Sequence, residues 1–222
     1  KGDQAGVAAA LEGAAHVIDL ESLNQRISGT PIEPRAAVGD YDEVLGRFTL
    51  YAPSQGVHRH QMALMKVFGI EAESVRIVTG DVGGGFGVRT PTYPEYALVA
   101  WGARRLGRPV KWTETRSENY QATTHGRDHV QHVELAAKRD GTVTGLRCTV
   151  YAGMGAYLST AAPGIPTILH GLMLSGVYTL PAVKEDVYGT YTNGTPVDAY
   201  RGAGRPEATF MLERMMDQLA AE

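Results

Sequence analysis

Glycine constrains this chain more than any other feature. It supplies 27 of the 222 residues, and they gather in short stretches: residues 80–87, residues 153–176, and Gly202 with Gly204. Glycine accepts left-handed backbone and lets other groups approach closely, so such clusters mark sharp turns and tight contacts rather than element interiors. No repeat of 20–50 residues accompanies them, which excludes a solenoid or propeller. The rest of the composition is globular, with 43% hydrophobic and 20% charged residues, and this excludes a disordered chain. At about 150 residues per domain the length suits one large domain or two small ones. Lys and Arg total 21 against 24 Asp and Glu, so the clustered basic excess of a nucleic-acid binder is missing. No apolar run approaches the roughly 18 residues of a membrane helix. A single cysteine, Cys148, leaves no internal disulfide, cysteine zinc site or iron–sulfur cluster, so redox chemistry would need a bound cofactor.

Hydrophobic patterning divides the chain into short elements. Alternating runs at 16–20 (HVIDL) and 47–51 (RFTLY) read as strands, with turns at Gly29, Pro31, Pro34, Gly39 and Asp40 breaking residues 29–43. A helix is expected from Pro53-Ser54 to Phe68, with Val57, Ala63, Leu64, Val67 and Phe68 on one face and Gly69 as its stop. Residues 74–79 (SVRIVT) read as a strand, 94–106 as a helix between Pro94 and Gly107, and 109–113 as a strand. Asp140-Gly141 between the runs 129–137 and 142–152 is a strong hairpin signal. Residues 183–192 read as a strand and 206–221 as a helix with Ala208, Met211, Leu212, Met215, Met216 and Leu219 in its stripe. The expected class is α+β: mixed β-sheet segments and hairpins with packed helices, without the strict alternation of a doubly wound sheet.

Three stretches carry candidate chemistry. Gly83-Gly84-Gly85-Phe86-Gly87 lies between a predicted strand and a helix. Its spacing fails both the dinucleotide fingerprint and the phosphate-binding P-loop, yet successive glycines expose backbone N–H groups to an anion. The stretch 199–207 (AYRGAGRPE) sets Arg201 beside Gly202 just before a helix, where a planar guanidinium can engage a carboxylate, an oxo group or a carbonyl. Gln55, after the RFTLY strand, carries one amide that both donates and accepts. Taken singly, each is at least as well explained by a plain turn, a solvated loop or a cap.

Together they resemble the molybdenum hydroxylases, the xanthine oxidase and aldehyde oxidase family that includes the aerobic carbon monoxide dehydrogenase large subunit. Residues 32–35 (IEPR), 109–112 (PVKW) and 126–129 (GRDH) extend the likeness over most of the chain. The resemblance implies a first molybdopterin-cofactor-binding domain over 16–222, with 1–15 linking it to a preceding domain. It implies that Gln55 hydrogen-bonds an oxo ligand of molybdenum and that Gly84, Gly85, Phe86 and Gly87 lie against the metal–pterin group. It casts Arg201 as the residue that orients substrate and stabilises charge, with Thr90 and Gly202 in the substrate pocket. Thr90 stands where purine-specific relatives have an acid, which weakens a purine reading.

The implied cofactor is molybdenum–molybdopterin, in its plain or cytosine dinucleotide form, with no metal ligand from a side chain. The implied partners are the remainder of the large subunit, an iron–sulfur small subunit and an FAD medium subunit, in a cytoplasmic enzyme acting on a small molecule. Neither nucleic acid nor a membrane span enters this reading. Gly202 is a departure: carbon monoxide dehydrogenases place a copper-binding cysteine there, and thiolate is the ligand that selects Cu(I). The family's catalytic glutamate belongs to a later domain, so none is assigned here; Glu207, Glu213 and Glu222 are expected to be exposed helix residues, and the fragment alone is expected to be inactive. The competing readings are a non-catalytic assembly module from the same subunit and a carbon monoxide dehydrogenase in name and activity. His129 and His132 fall on opposite faces of a strand and Cys148 in a β-run, so none of them is read as a metal ligand.

Overall fold

A computed structural model describes residues 2–222, so Lys1, the first residue of the linker reading, lies outside the described residues. In chain order the elements are α1 (Gln4–Glu12), β1 (His16–Asn24), β2 (Ile27–Ser28), β3 (Ala36–Asp42), β4 (Arg47–Tyr51), α2 (Val57–Phe68), β5 (Val75–Val78), α3 (Pro94–Leu106), β6 (Val110–Thr113), α4 (Arg116–Ala122), β7 (His125–Gly126), β8 (His129–Ala137), β9 (Val143–Gly155), β10 (Ala182–Tyr191) and α5 (Arg205–Ala221). The chain folds as two units, one of residues 1–27 with 125–222 and the other of residues 28–124. Both mix helices and sheet, the expected α+β class.

In the first unit a four-stranded sheet runs in the order β1-β8-β9-β10. The hairpin read from Asp140-Gly141 is there, with Gly141 at φ +82° and Lys138 N–H donating to the Thr142 carbonyl at 2.9 Å. Helix α5 covers this sheet. Met211, Leu212 and Met215 are buried against Ile18, Val133 and Leu146, so the stripe read from the sequence is the core face. Helix α1 docks on the same sheet. Asp3 caps it by accepting from Gly6 N–H at 2.8 Å, a cap the sequence reading did not find. Cys148 is buried, and burial together with the Glu185 charge pushes its thiol well above the usual range.

The second unit holds a sheet in the order β5-β4-β3-β6 with α2 and α3 packed on it. Helix α3 has the expected bounds, and Gly107 ends it in left-handed backbone. Three expectations need correction. Residues 36–42 form a central strand rather than a string of turns, because its buried alternate positions are Ala37 and Gly39, which carry no hydrophobic signal. Helix α2 starts at Val57 rather than at Pro53-Ser54, because the Ser54 hydroxyl accepts from Gly56 N–H at 2.8 Å and holds a turn there. Its buried residues are His60 and Leu64, while Val67 is exposed. The short helix α4 was not foreseen, although Thr115 and Glu118 form a complete capping box.

Gly39 is the close-packing point of this unit. A Cβ built on it would lie 2.4 Å from the backbone of Val99 in α3. Gly39→Ala should therefore cost about 3 kcal/mol. Gly102→Ala on the same helix would meet Val110 only at ordinary contact, 3.5 Å, and should gain about 0.5 kcal/mol. Urea unfolding followed by circular dichroism checks both signs. His60 adds a pH dependence: burial holds its ring down at about 4, whereas an unfolded histidine titrates near 6.5. Protons then favour the unfolded chain, so stability falls as pH drops from 6.5 towards 4. Unfolding at pH 7 and pH 4.5 should show wild type losing ~2 kcal/mol more than His60→Asn.

Candidate functional site

The glycine loop after β5 is held from several sides by residues of its own unit. Gln55, in the short segment between β4 and α2, accepts two backbone donors on one oxygen: Oε1 takes Gly87 N–H at 2.8 Å and Arg89 N–H at 3.3 Å. Its own N–H donates to the Arg89 carbonyl at 3.2 Å. These contacts fix which way the amide faces, because only an oxygen accepts from two N–H groups. Nε2 is left without a hydrogen bond to any described residue, on an exposed side chain. The loop comes close enough that a Cβ on Gly85 would lie 2.7 Å from the Gln55 amide carbon. Glycine at that position is a packing requirement.

Phe86 adopts φ +55° and is 42% exposed. A non-glycine residue in left-handed backbone costs of the order of 1 kcal/mol and persists only where its surroundings dictate it. Gly84 and Gly87, at φ +101° and +103°, flank it. The Tyr93 hydroxyl donates to the Val88 carbonyl at 2.6 Å, and Thr90 N–H donates to the Gly87 carbonyl at 3.0 Å. Gln55, Gly85, Phe86, Gly87 and Thr90 thus form one neighbourhood in the second unit.

Arg201 and Gly202 belong to the other unit. Arg201 is exposed, and its side chain makes no hydrogen bond or ion pair with a described residue. Its backbone is fixed all the same. Arg127 donates to the Arg201 carbonyl at 2.7 Å and to the Tyr200 carbonyl at 3.1 Å, and it pairs with Glu207 at 3.3 Å. Gly202, Ala203 and Gly204 follow at φ +93°, +42° and +85°. A Cβ on Gly204 would lie 2.5 Å from the Ile165 carbonyl oxygen, so the loop rests on the π-helical turn Ile165–Leu169.

Glu207 corrects an expectation. It is fully buried rather than exposed, because the helix start turns it inward onto Arg127; Glu213 and Glu222 are exposed. Nothing in the sequence linked Arg127 to Glu207 across 80 positions. Arg127 and Asp128 both have positive φ, +64° and +69°, and the Asp128 carboxylate is clamped by Arg26 at 2.7 Å. His129 is buried, and burial chiefly, with His170 and Arg127 nearby, lowers it to about 3. His170 lies between Glu185 at 2.7 Å and Gln131 at 2.6 Å. Among the described residues no group of three or more His, Cys, Asp or Glu is placed to hold a metal ion, and no helix is long and apolar enough to cross a membrane.

Removing one partner of a buried ion pair strands the other charge. Arg127→Met should destabilise the chain by about 3 kcal/mol, and Arg127→Met with Glu207→Leu should recover part of that loss. Chemical denaturation of the single and double variants is the check.

Comparison with known proteins gives a consistent set of likenesses. Residues 1–222 match the molybdopterin cofactor-binding domain family. The chain is 37% identical over 213 residues to the gamma subunit of the 6-hydroxypseudooxynicotine dehydrogenase complex of Paenarthrobacter nicotinovorans, covering 96% of this chain and 27% of that protein. It is 38% identical over 222 residues to the carbon monoxide dehydrogenase large chain of Hydrogenophaga pseudoflava, covering 99% of this chain and 28% of the relative. The structure of reconstituted CO dehydrogenase from Oligotropha carboxidovorans superposes with a TM-score of 0.92 at 31% identity, covering 99% of this chain and 28% of that one. The chain therefore spans little more than a quarter of the length of the relatives it matches.

Proposed function

The chain belongs to the molybdopterin cofactor-binding domain family, and from that premise we propose that it forms the first cofactor-binding part of a molybdenum hydroxylase large subunit. The reaction is oxidation of an aldehyde or N-heteroaromatic carbon with water as the oxygen source: a C–H bond and H2O become C–OH, two protons and two electrons. When bound, the molybdenum–pterin group supplies the two-electron oxidant. In this reading 16–222 is the domain and 1–15 the link from a preceding one. The cofactor is molybdopterin in its plain or cytosine dinucleotide form. Electrons leave through iron–sulfur and FAD subunits of a cytoplasmic complex.

The observation that carries the reading is the Gln55 amide. With Oε1 occupied by Gly87 and Arg89 N–H groups, Nε2 is left as a donor that would meet an oxygen of the bound cofactor. The glycines Gly84, Gly85 and Gly87 keep side chains out of the way, and the exposed Phe86 ring would shield a bound cofactor from solvent. Arg201, whose guanidinium spends no hydrogen bond on described residues, orients a substrate carbonyl or carboxylate and stabilises negative charge that builds on the substrate. Thr90 in one unit and Gly202 in the other keep the substrate-side roles that the resemblance implies for them.

A reading as a copper-containing carbon monoxide dehydrogenase fits this chain poorly. Gly202 has φ +93°, and a Cβ on it would lie 2.4 Å from Pro206 Cγ. The position offers neither a thiolate nor the room to carry one. The purified complex containing the full large subunit should hold close to one molybdenum per large subunit and reduce a dye with members of an aldehyde and N-heteroaromatic panel. Gln55→Ala and Arg201→Met should each lower kcat/KM at least about a hundredfold while molybdenum is retained. A stable complex devoid of molybdenum would leave the assembly-module reading in its place.

A further inference from the structure

We infer that Arg89 is the positioning residue of the glycine loop, a role that rests on the proposed function but acts entirely inside this chain. Its side chain is fully buried, two residues beyond Gly87. Nε donates to the Gly84 carbonyl at 2.7 Å. Nη2 reaches the Glu33 carbonyl, the Glu33 carboxylate at 3.2 Å and the Pro34 carbonyl at 3.4 Å. Glu33 in turn accepts from Gly83 N–H at 2.8 Å. The backbone of Arg89 meets Gln55 twice, through its N–H to Oε1 and its carbonyl to the Gln55 N–H. One residue thereby sits between both parts of the candidate cofactor surface, the Gly84–Phe86 backbone and the Gln55 amide.

The chemistry requires a residue of this kind. A run of glycines has no side chains with which to pack, so only hydrogen bonds to its backbone can hold it in one conformation. Gly84 at φ +101° and Phe86 at φ +55° stand on either side of Gly85, and the Gly84 carbonyl is the point where the buried guanidinium grips this turn. Five N–H donors on a rigid plane let a single arginine hold several carbonyls at once, which an ammonium group cannot do from a buried stem. The charge matters too. Glu33 is the ion-pair partner, it is 38% exposed, and its carboxylate is shared with Gly83; Nη1 is buried with no partner among the described residues. A buried and incompletely neutralised cation therefore lies behind a loop whose outer side is to receive an anionic cofactor, which low surrounding polarity strengthens.

The test uses the complete enzyme complex with Arg89→Lys and Arg89→Met in the large subunit. Hydrogen exchange read by mass spectrometry on peptides spanning 80–92 needs no metal. Both variants should exchange about tenfold faster there, with unchanged exchange in α5, since hydrogen bonds to a charged donor are lost locally. On the molybdenum-loaded fraction, the Mo(V) electron paramagnetic resonance signal should shift from wild type, more for Met than for Lys. Loss of molybdenum from Arg89→Lys at an unchanged unfolding midpoint also supports the assignment. Wild-type exchange at 80–92, a wild-type Mo(V) signal in the loaded variants, or molybdenum lost only in step with the midpoint would overturn it. A wild-type complex that never contains molybdenum would sink the hydroxylase reading instead, while the exchange experiment would still decide the role of Arg89.

Discussion

The Gln55 oxygen taking two backbone N–H groups is the contact on which the candidate site depends. It ties the segment after β4 to the loop after β5, and in doing so it settles the orientation of the amide. An asparagine would be one methylene short, and a glutamate would replace the outward donor by a second acceptor. The same contact explains the glycine opposite. Gly85 lies where a Cβ would collide with the amide carbon at 2.7 Å, so close approach and fixed orientation are one geometric fact. A site built this way is preorganised before any ligand arrives, and preorganised donors stabilise charge without reorganisation at the moment of reaction.

Much of the framework was legible because its signals are local. Asp140-Gly141 forces a hairpin, and Pro94 and Gly107 bracket α3 where the helix physically begins and ends. The stripe from Ala208 to Leu219 needs only helical periodicity. Strand β3 was hidden for the opposite reason. Its buried positions hold alanine and glycine, the glycine dictated by the approach of the Val99 backbone rather than by hydrophobicity. Helix α4 had a readable signal in Thr115 and Glu118, but seven residues with little apolar periodicity do not otherwise announce a helix.

The site divides along the same line. GGGFG, Gln55 and the AYRGAGR stretch were visible as motifs, and their joint occurrence carried the family resemblance that the comparisons show. What lies behind them was not visible. Glu207 looks like an ordinary first-turn glutamate favouring a helix N-terminus, yet it is buried against Arg127. Arg89 follows the loop in sequence as one more charged residue. Burial of a charge depends on a partner distant in sequence, Glu33 for one and Arg127 for the other, and no periodicity encodes such a pairing.

Both units solve the same problem in the same way. A glycine-rich loop exposes backbone and lacks packing, so it must be immobilised through its carbonyls. In one unit a buried arginine grips the Gly84 carbonyl and pairs with Glu33; in the other Arg127 grips the Tyr200 and Arg201 carbonyls and pairs with Glu207. In each case the arginine spends donors on the scaffold and leaves the motif's own polar side chain, Gln55 Nε2 or Arg201, without a partner among the described residues. That division of labour limits what can vary. Residues that hold the loops cannot be changed without losing the geometry, and the glycines they hold are equally bound: a Cβ on Gly202 would lie 2.4 Å from Pro206 and one on Gly204 2.5 Å from the Ile165 carbonyl oxygen.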